Sequence, residues 1–192
     1  MDSFEAQKVI SQHRKNAIVV THESANREWP QVSTNPDFDL PVPRCMSKAS
    51  SFGLGLALAL PTRKVIILDA DGALLMNLGS LVTIANMAPH NLIHFVFENG
   101  VYRSTGGQPI PNSGKISFRG MAKAAGYSHV YEFDKLEDLE IDIETIMHQN
   151  GPTFVCLKVP PLNERPPFPL VSTAEQSSIY SRFKQSVQNS SG

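Results

Sequence analysis

The chain has 192 residues, 41% of them hydrophobic and 18% charged, with a formal net charge of -1 at pH 7. This composition suits a soluble globular domain with an ordinary core, and it gives no electrostatic reason to bind nucleic acid or an anionic membrane. No apolar run reaches the length of a membrane span, and the opening MDSFEAQKVI reads as a helix start rather than a signal sequence, so one cytoplasmic domain over 1–192 is expected.

In chain order, Ser3 is expected to cap a helix reaching residue 16, followed by a strand at 17–20. That strand delivers Thr21, His22, Glu23 and Ser24 into a polar turn before a short helical stretch at 25–29. Residues 30–44 carry four prolines and no period, which predicts a surface loop. Small and leucine residues at 52–60 predict a helix closed by Pro61. A β-branched strand at 64–69, a helix at 78–87 stopped by Pro89 and a short apolar strand at 94–97 follow. After a proline and glycine loop at 109–114, Ser117 or a neighbour is expected to cap a helix that Gly126 ends. A strand at 130–133, a helix at 135–149 with a solvated acidic face and a strand at 153–159 come next. A proline-rich run at 160–169 leads to a helix capped by Thr173 and reaching about residue 187, with 188–192 as a frayed polar tail. Alternating strands and helices predict a three-layer α/β sandwich with a mostly parallel sheet.

Three local patterns are set aside. Ser113-Gly114-Lys115 is not a P-loop, because Pro109 stands where its first glycine belongs and Ile116 follows the lysine. His90 and His94 straddle a change from helix to strand, and Cys45 and Cys156 have no metal-ligand spacing.

The informative stretch is 64–108. A helix between two strands is the crossover that makes them parallel, so both carboxyl ends lie on one edge. That edge receives Asp71 from the first strand and Asn99, 28 residues later, from the second. A carboxylate and a carboxamide there, flanked by Gly72 and Gly100, form a hard-oxygen site of the kind magnesium takes, with phosphate oxygens and water completing its shell. Asp71, Asn99 and a backbone carbonyl just past Asn99, that of Val101, are the expected ligands. The turn at Gly72 and Ala73 leads toward a helix whose free N–H groups suit phosphate. Arg103 is a candidate for an oxyanion of a substrate, since a guanidinium matches such groups in a fork.

Asp71-Gly72 followed by Glu98-Asn99 resembles the GDG and NN motif of thiamine-diphosphate enzymes. The run 98–102 continuing through Ser104-Thr105-Gly106-Gly107-Gln108-Pro109 is similar in particular to the phosphonopyruvate and sulfopyruvate decarboxylases. Ala70 stands where that family usually has glycine, Glu98 where it has Asn or Asp, and His22-Glu23 in a turn usually richer in glycine. Side-chain alternation predicts that Glu98 faces away if Asn99 faces the metal.

The resemblance implies a thiamine-diphosphate-binding fold over most of the chain, with thiamine diphosphate and Mg2+ as cofactors. It places Met46 beneath a bent cofactor, Thr21, Ser47, Gly72, Ala73, Tyr102 and Ser104 around it, and His22 and Arg103 as catalytic candidates. Arg27-Glu28 matches an Arg-Glu pair of the family. The chain has no room for the pyrimidine-binding domain and its catalytic Glu, so the resemblance implies a second subunit that carries them, as in split sulfopyruvate decarboxylases. The expected activity is decarboxylation of a small-molecule 2-oxo acid, sulfopyruvate or phosphonopyruvate. The alternatives are a non-catalytic scaffold or regulatory homologue, and a flavodoxin-like nucleotide binder that leaves the Asp71 to Asn99 spacing a coincidence.

Overall fold

The computed structural model describes residues 1–22, 24–161, 168–169 and 172–190. Glu23, most of the proline-rich run and the last two residues of the predicted tail lie outside the described residues. The elements in chain order are α1 (Ser3–His13), β1 (Ile18–His22), α2 (Ala25–Glu28), β2 (Asp39–Val42), α3 (Ala49–Ala59), β3 (Val65–Ala70), α4 (Asp71–Leu75) and α5 (Gly79–Met87). They continue with β4 (Leu92–Glu98), β5 (Val101–Tyr102), β6 (Gln108–Pro109), α6 (Phe118–Ala125), β7 (His129–Phe133), α7 (Leu136–His148), β8 (Thr153–Lys158) and α8 (Thr173–Asn189).

Six strands form one parallel sheet in the order β2-β1-β3-β4-β8-β7, and β5 and β6 form a separate antiparallel hairpin. Four central strands read as near-continuous apolar runs because both of their faces are covered. One core joins α1 and α7 to the sheet through Ile10, Ile66, Phe95, Leu139 and Val155. The other joins α3, α5 and α6 through Ala57, Ile67, Leu81, Phe118 and Phe154. This is the expected three-layer sandwich. Gly53 of α3 lets that helix lie on β3, since a Cβ there would stand 2.4 Å from the Ile67 side chain.

The chain runs outward from β1 to β2 and then returns across β1 to β3, so the strand order reverses between β1 and β3. Such a reversal opens a crevice at the carboxyl ends of the two strands.

Several predicted boundaries are corrected. The expected loop at 30–44 contains β2, an edge strand whose Pro41 lacks a donor only an interior strand would need. β1 extends through Thr21 and His22, which are therefore strand residues rather than turn residues. The cap of α1 is Asp2, whose Oδ1 accepts from the amides of Phe4 and Glu5, because the Ser3 hydroxyl is donated to Glu28 instead. Ser172, in a capping box with Glu175, caps α8 in place of Thr173. That helix continues to Asn189, so the start of the predicted frayed tail is helical.

Candidate active site at the carboxyl edge of the sheet

β3 and β4 pair in register with Ala70 opposite Phe97, so the chain leaves the sheet at neighbouring points, Asp71 on one strand and Asn99 on the other. Asp71 is completely buried. Its Oδ1 accepts the Gly72 amide at 2.7 Å and its Oδ2 accepts the Gly100 amide at 2.7 Å, which ties the turn after β4 to the start of α4. Gly100 has φ +75, and a Cβ there would meet the Ser113 hydroxyl at 2.8 Å. Asn99 Oδ1 accepts the Val101 amide at 2.9 Å.

Burial pushes the Asp71 carboxyl up to about 6, against the pull of the Gly100 and Gly72 amides and with a further push from Glu98. A buried carboxylate held at cost beside a carboxamide oxygen is a donor set that a hard divalent cation relieves, so the residues fit magnesium. Glu98 itself turns away from Asp71's turn, as alternation predicts. It accepts from the Cys156 thiol at 3.0 Å and from Lys158 Nζ at 2.6 Å. Lys158 also lies 3.5 Å from Glu132, so an ammonium already answers the Glu98, Glu132 and Cys156 cluster.

A shallow crevice brings together Met46, Asp71, Gly72, Ala73, Asn99, Val101, Tyr102, Arg103 and Ser104 with Ser24. Nine of the sequence candidates thus share one hollow. Gly72 serves it in an unexpected way: its amide is spent on Asp71, and its missing Cβ makes room for the Tyr102 ring, which would otherwise lie 2.6 Å away. The Tyr102 ring is thereby set into the wall of the crevice, and β6 and the Gly107 amide hold the hairpin that carries it.

Thr21 and Ser47 do not line this hollow. The Thr21 hydroxyl is donated to Asn26 Oδ1 at 2.6 Å, and Ser47, buried with φ +74, offers its carbonyl to Asn77. His22 sits in an adjoining hollow with Ser24, Glu28, Asp69, Asn99 and Arg103. Its side chain is fully buried, 3.8 Å from Asp69 Oδ1. Arg103 Nη1 lies 3.8 Å from Glu28 Oε1 and 3.4 Å from the Ser24 hydroxyl, so its guanidinium leans on this chain's own carboxylate. Glu28 in turn accepts from Ser3 and Gln7, and burial raises its pKa.

Sequence reasoning missed a polar row under the crevice. Asp69 Oδ2 lies 3.2 Å from His94 Nε2, and His94 Nδ1 lies 3.3 Å from the Tyr127 hydroxyl, with Asp69 and His94 fully buried. The available signal was alternation: Asp69 falls on the same face of β3 as Ile67, which pairs with His94 on β4. A carboxylate and an imidazole inside two otherwise apolar strands need each other.

Residues 38–157 match the family described as thiamine pyrophosphate enzyme, C-terminal TPP binding domain. The chain is 38% identical over 148 residues to a phosphonopyruvate decarboxylase of Streptomyces viridochromogenes, a match covering 77% of this chain and 36% of that protein. It is 36% identical over 143 residues to a sulfopyruvate decarboxylase subunit beta of Methanothermobacter thermautotrophicus, covering 74% of this chain and 72% of the relative. The chain therefore spans only about a third of the phosphonopyruvate decarboxylase but most of the beta subunit. A solved structure of a protein described as a thiamin diphosphate-dependent enzyme from Mycobacterium smegmatis superposes with a TM-score of 0.71 at 20% identity, covering 84% of this chain and 32% of that one. On the match over 38–157 and the shared fold, the chain belongs to the thiamine-diphosphate enzymes as a C-terminal cofactor-binding domain of that family.

Proposed function

We propose that the chain is the diphosphate-binding subunit of a thiamine-diphosphate-dependent 2-oxo-acid decarboxylase acting on sulfopyruvate or phosphonopyruvate in the cytoplasm. The observation that carries this reading is the convergence of Asp71 and Asn99 at the ends of β3 and β4, with the Asp71 carboxylate drawn onto the Gly100 amide. The names of the relatives, phosphonopyruvate decarboxylase and sulfopyruvate decarboxylase subunit beta, support the activity and its split form.

In this reading Asp71, Asn99 and the Val101 carbonyl would hold Mg2+, next to a carboxylate that burial otherwise makes costly to ionise. Met46 and Tyr102, with Ala73 and Ser104 beside them, would wall the crevice that receives the cofactor. Gly72 acts by admitting the Tyr102 ring, and Thr21 and Ser47 act by shaping the ends of β1 and the turn before α3. Thiamine diphosphate supplies the electron sink for loss of carbon dioxide. Arg103, with Glu28 behind it, meets the acid group of the substrate, and His22 lies in the adjoining hollow 3.8 Å from Asp69.

The whole chain forms this one domain, and a second subunit carries the pyrimidine-binding domain and its Glu. Phe52, Leu58, Met76, Val82 and Met87 support that partner: all are well exposed on α3, α5 and the turn after α4. A non-catalytic scaffold finds no support in Glu98, whose charge is turned onto Lys158.

The test is decarboxylation of sulfopyruvate and phosphonopyruvate by the chain purified with the subunit it binds in its own cells. Carbon dioxide release that requires thiamine diphosphate is expected. A cofactor-loaded complex inert toward both acids would reject the substrate, and a complex that takes up no cofactor would reject the whole reading.

A further inference from the structure

A hollow of about 610 Å³ lies at the opposite edge of the sheet. It is a half-open hollow lined by the turns that follow α1 and α3, by the end of α7 and by Ser190 after α8, where the chain enters β1, β3 and β8 at their amino ends. Its charged lining is Arg14, Lys15, Arg63 and Lys64 with His13 and His148, and no carboxylate lines it among the described residues. In a chain of net charge -1 this is a marked local excess of positive charge.

Four helices, α1, α3, α7 and α8, end here, and cations near helix C-termini ordinarily serve the exposed carbonyls. That duty accounts for part of the set. Arg14 donates to the Ala17 carbonyl and pairs with Asp39, and Lys64 Nζ donates to the Gln149 carbonyl. Glu144, outside the lining, lies near His13 and His148. Lys15 and Arg63 are left over. Lys15 sits at φ +50 in the turn after α1, where only His148 Nε2 approaches its ammonium among the described residues. Arg63 lies over the Phe38 ring at 4.2 Å, and its Nη1 is buried with no hydrogen-bond acceptor.

We propose that this amino-edge cavity binds a phosphate-bearing small molecule, with Lys15 and Arg63 facing its phosphates and Leu60, Pro61 and Met147 packing against its apolar part. The volume fits a drug-sized or nucleotide-sized ligand, which occupies sites of roughly 300–1,000 Å³, and far exceeds what one inorganic phosphate fills. The apolar wall gives a ring somewhere to lie. The site is separate from the Asp71 crevice, since it lies on the other edge of the same strands. It therefore suits an effector of the enzyme rather than its substrate.

The test uses the full chain with its co-purifying subunit, saturated with thiamine diphosphate and magnesium so that the carboxyl-edge crevice is filled. ADP and, separately, inorganic pyrophosphate are titrated by calorimetry. ADP is expected to bind, to weaken as salt is raised, and to weaken at least about tenfold in Arg63→Ala and in Lys15→Glu, as loss of a charge-assisted contact requires. Lys15 is exposed, so its variant keeps the test decisive if removing Arg63 from the Phe38 ring disturbs folding. Tighter binding of ADP than of pyrophosphate supports a ring-bearing ligand, and the reverse supports a free phosphate anion at the same site. No binding of either at millimolar concentration overturns the proposal. So does binding that both variants leave unchanged, or that Asp71→Ala abolishes, because it would then belong to the other edge. A chain that takes up no thiamine diphosphate yet binds ADP through Lys15 and Arg63 would sink the decarboxylase reading and leave this site standing.

Discussion

Replacing Asp71 with Asn removes a buried negative charge while keeping the shape of the side chain. In the apo protein the Asp71 carboxyl titrates at about 6 instead of the usual 3.8, mainly because burial penalises its charged form. The folded state therefore binds a proton that the unfolded state has released between those two values. Stability from this group is present at low pH and lost as pH rises through about 6. Linkage over that shift makes the wild type, relative to Asp71→Asn, about 2 kcal/mol more stable at about pH 4.5 than at about pH 7.5. The absolute offset between the two proteins is smaller than the shift alone suggests, because the Asn amide must face the Gly72 or the Gly100 amide donor. Urea unfolding of both apo proteins at the two pH values measures the difference, with the other carboxylates cancelling. Parallel pH profiles would refute the idea that Asp71 is held charged at a cost.

Further consequences follow from packing. Gly72→Ala should cost about 1–3 kcal/mol in denaturant melts by driving a methyl into the Tyr102 ring, and under about 0.5 kcal/mol in a Tyr102→Ala background. Gly53→Ala, whose Cβ would strike Ile67, should destabilise the apo chain by a similar amount. Gly55→Ala, with nothing within 4 Å of its Cβ, should stabilise it by up to about 1 kcal/mol. Asp39→Ala strips the buried Arg14 of its carboxylate and should cost about 3–5 kcal/mol by chemical denaturation, a loss that Arg14→Met in the same chain should largely restore.

The parts of the fold readable from sequence are those with local signals. The β-branched runs of β3 and β4, the glycine that ends α6 and the serine that caps it all lie where their residues predict. The juxtaposition of Asp71 and Asn99 was readable for the same reason: a single helix-containing crossover fixes two strand ends on one edge. What escaped reading depends on partners far away in the chain. β2 has only four residues and a proline, and its place is secured by Arg14 on Asp39 and by α8, whose Tyr180 hydroxyl donates to the Pro41 carbonyl. Ser3 looks like a cap until Glu28, 25 residues on, takes its hydroxyl. Arg103 reads as a free substrate arginine until the fold sets it beside Glu28. Asp69 and His94 are polar residues in apolar strands, and only the register of β3 on β4 shows that they meet.

Magnesium-dependent cofactor retention tests the site most directly. Native mass spectrometry of the complex formed in the protein's own cells should show thiamine diphosphate in wild type in magnesium buffer, and none after chelation or in Asp71→Ala. Equal cofactor occupancy in wild type and Asp71→Ala would contradict the assignment of Asp71 and Asn99 as the anchor of the diphosphate.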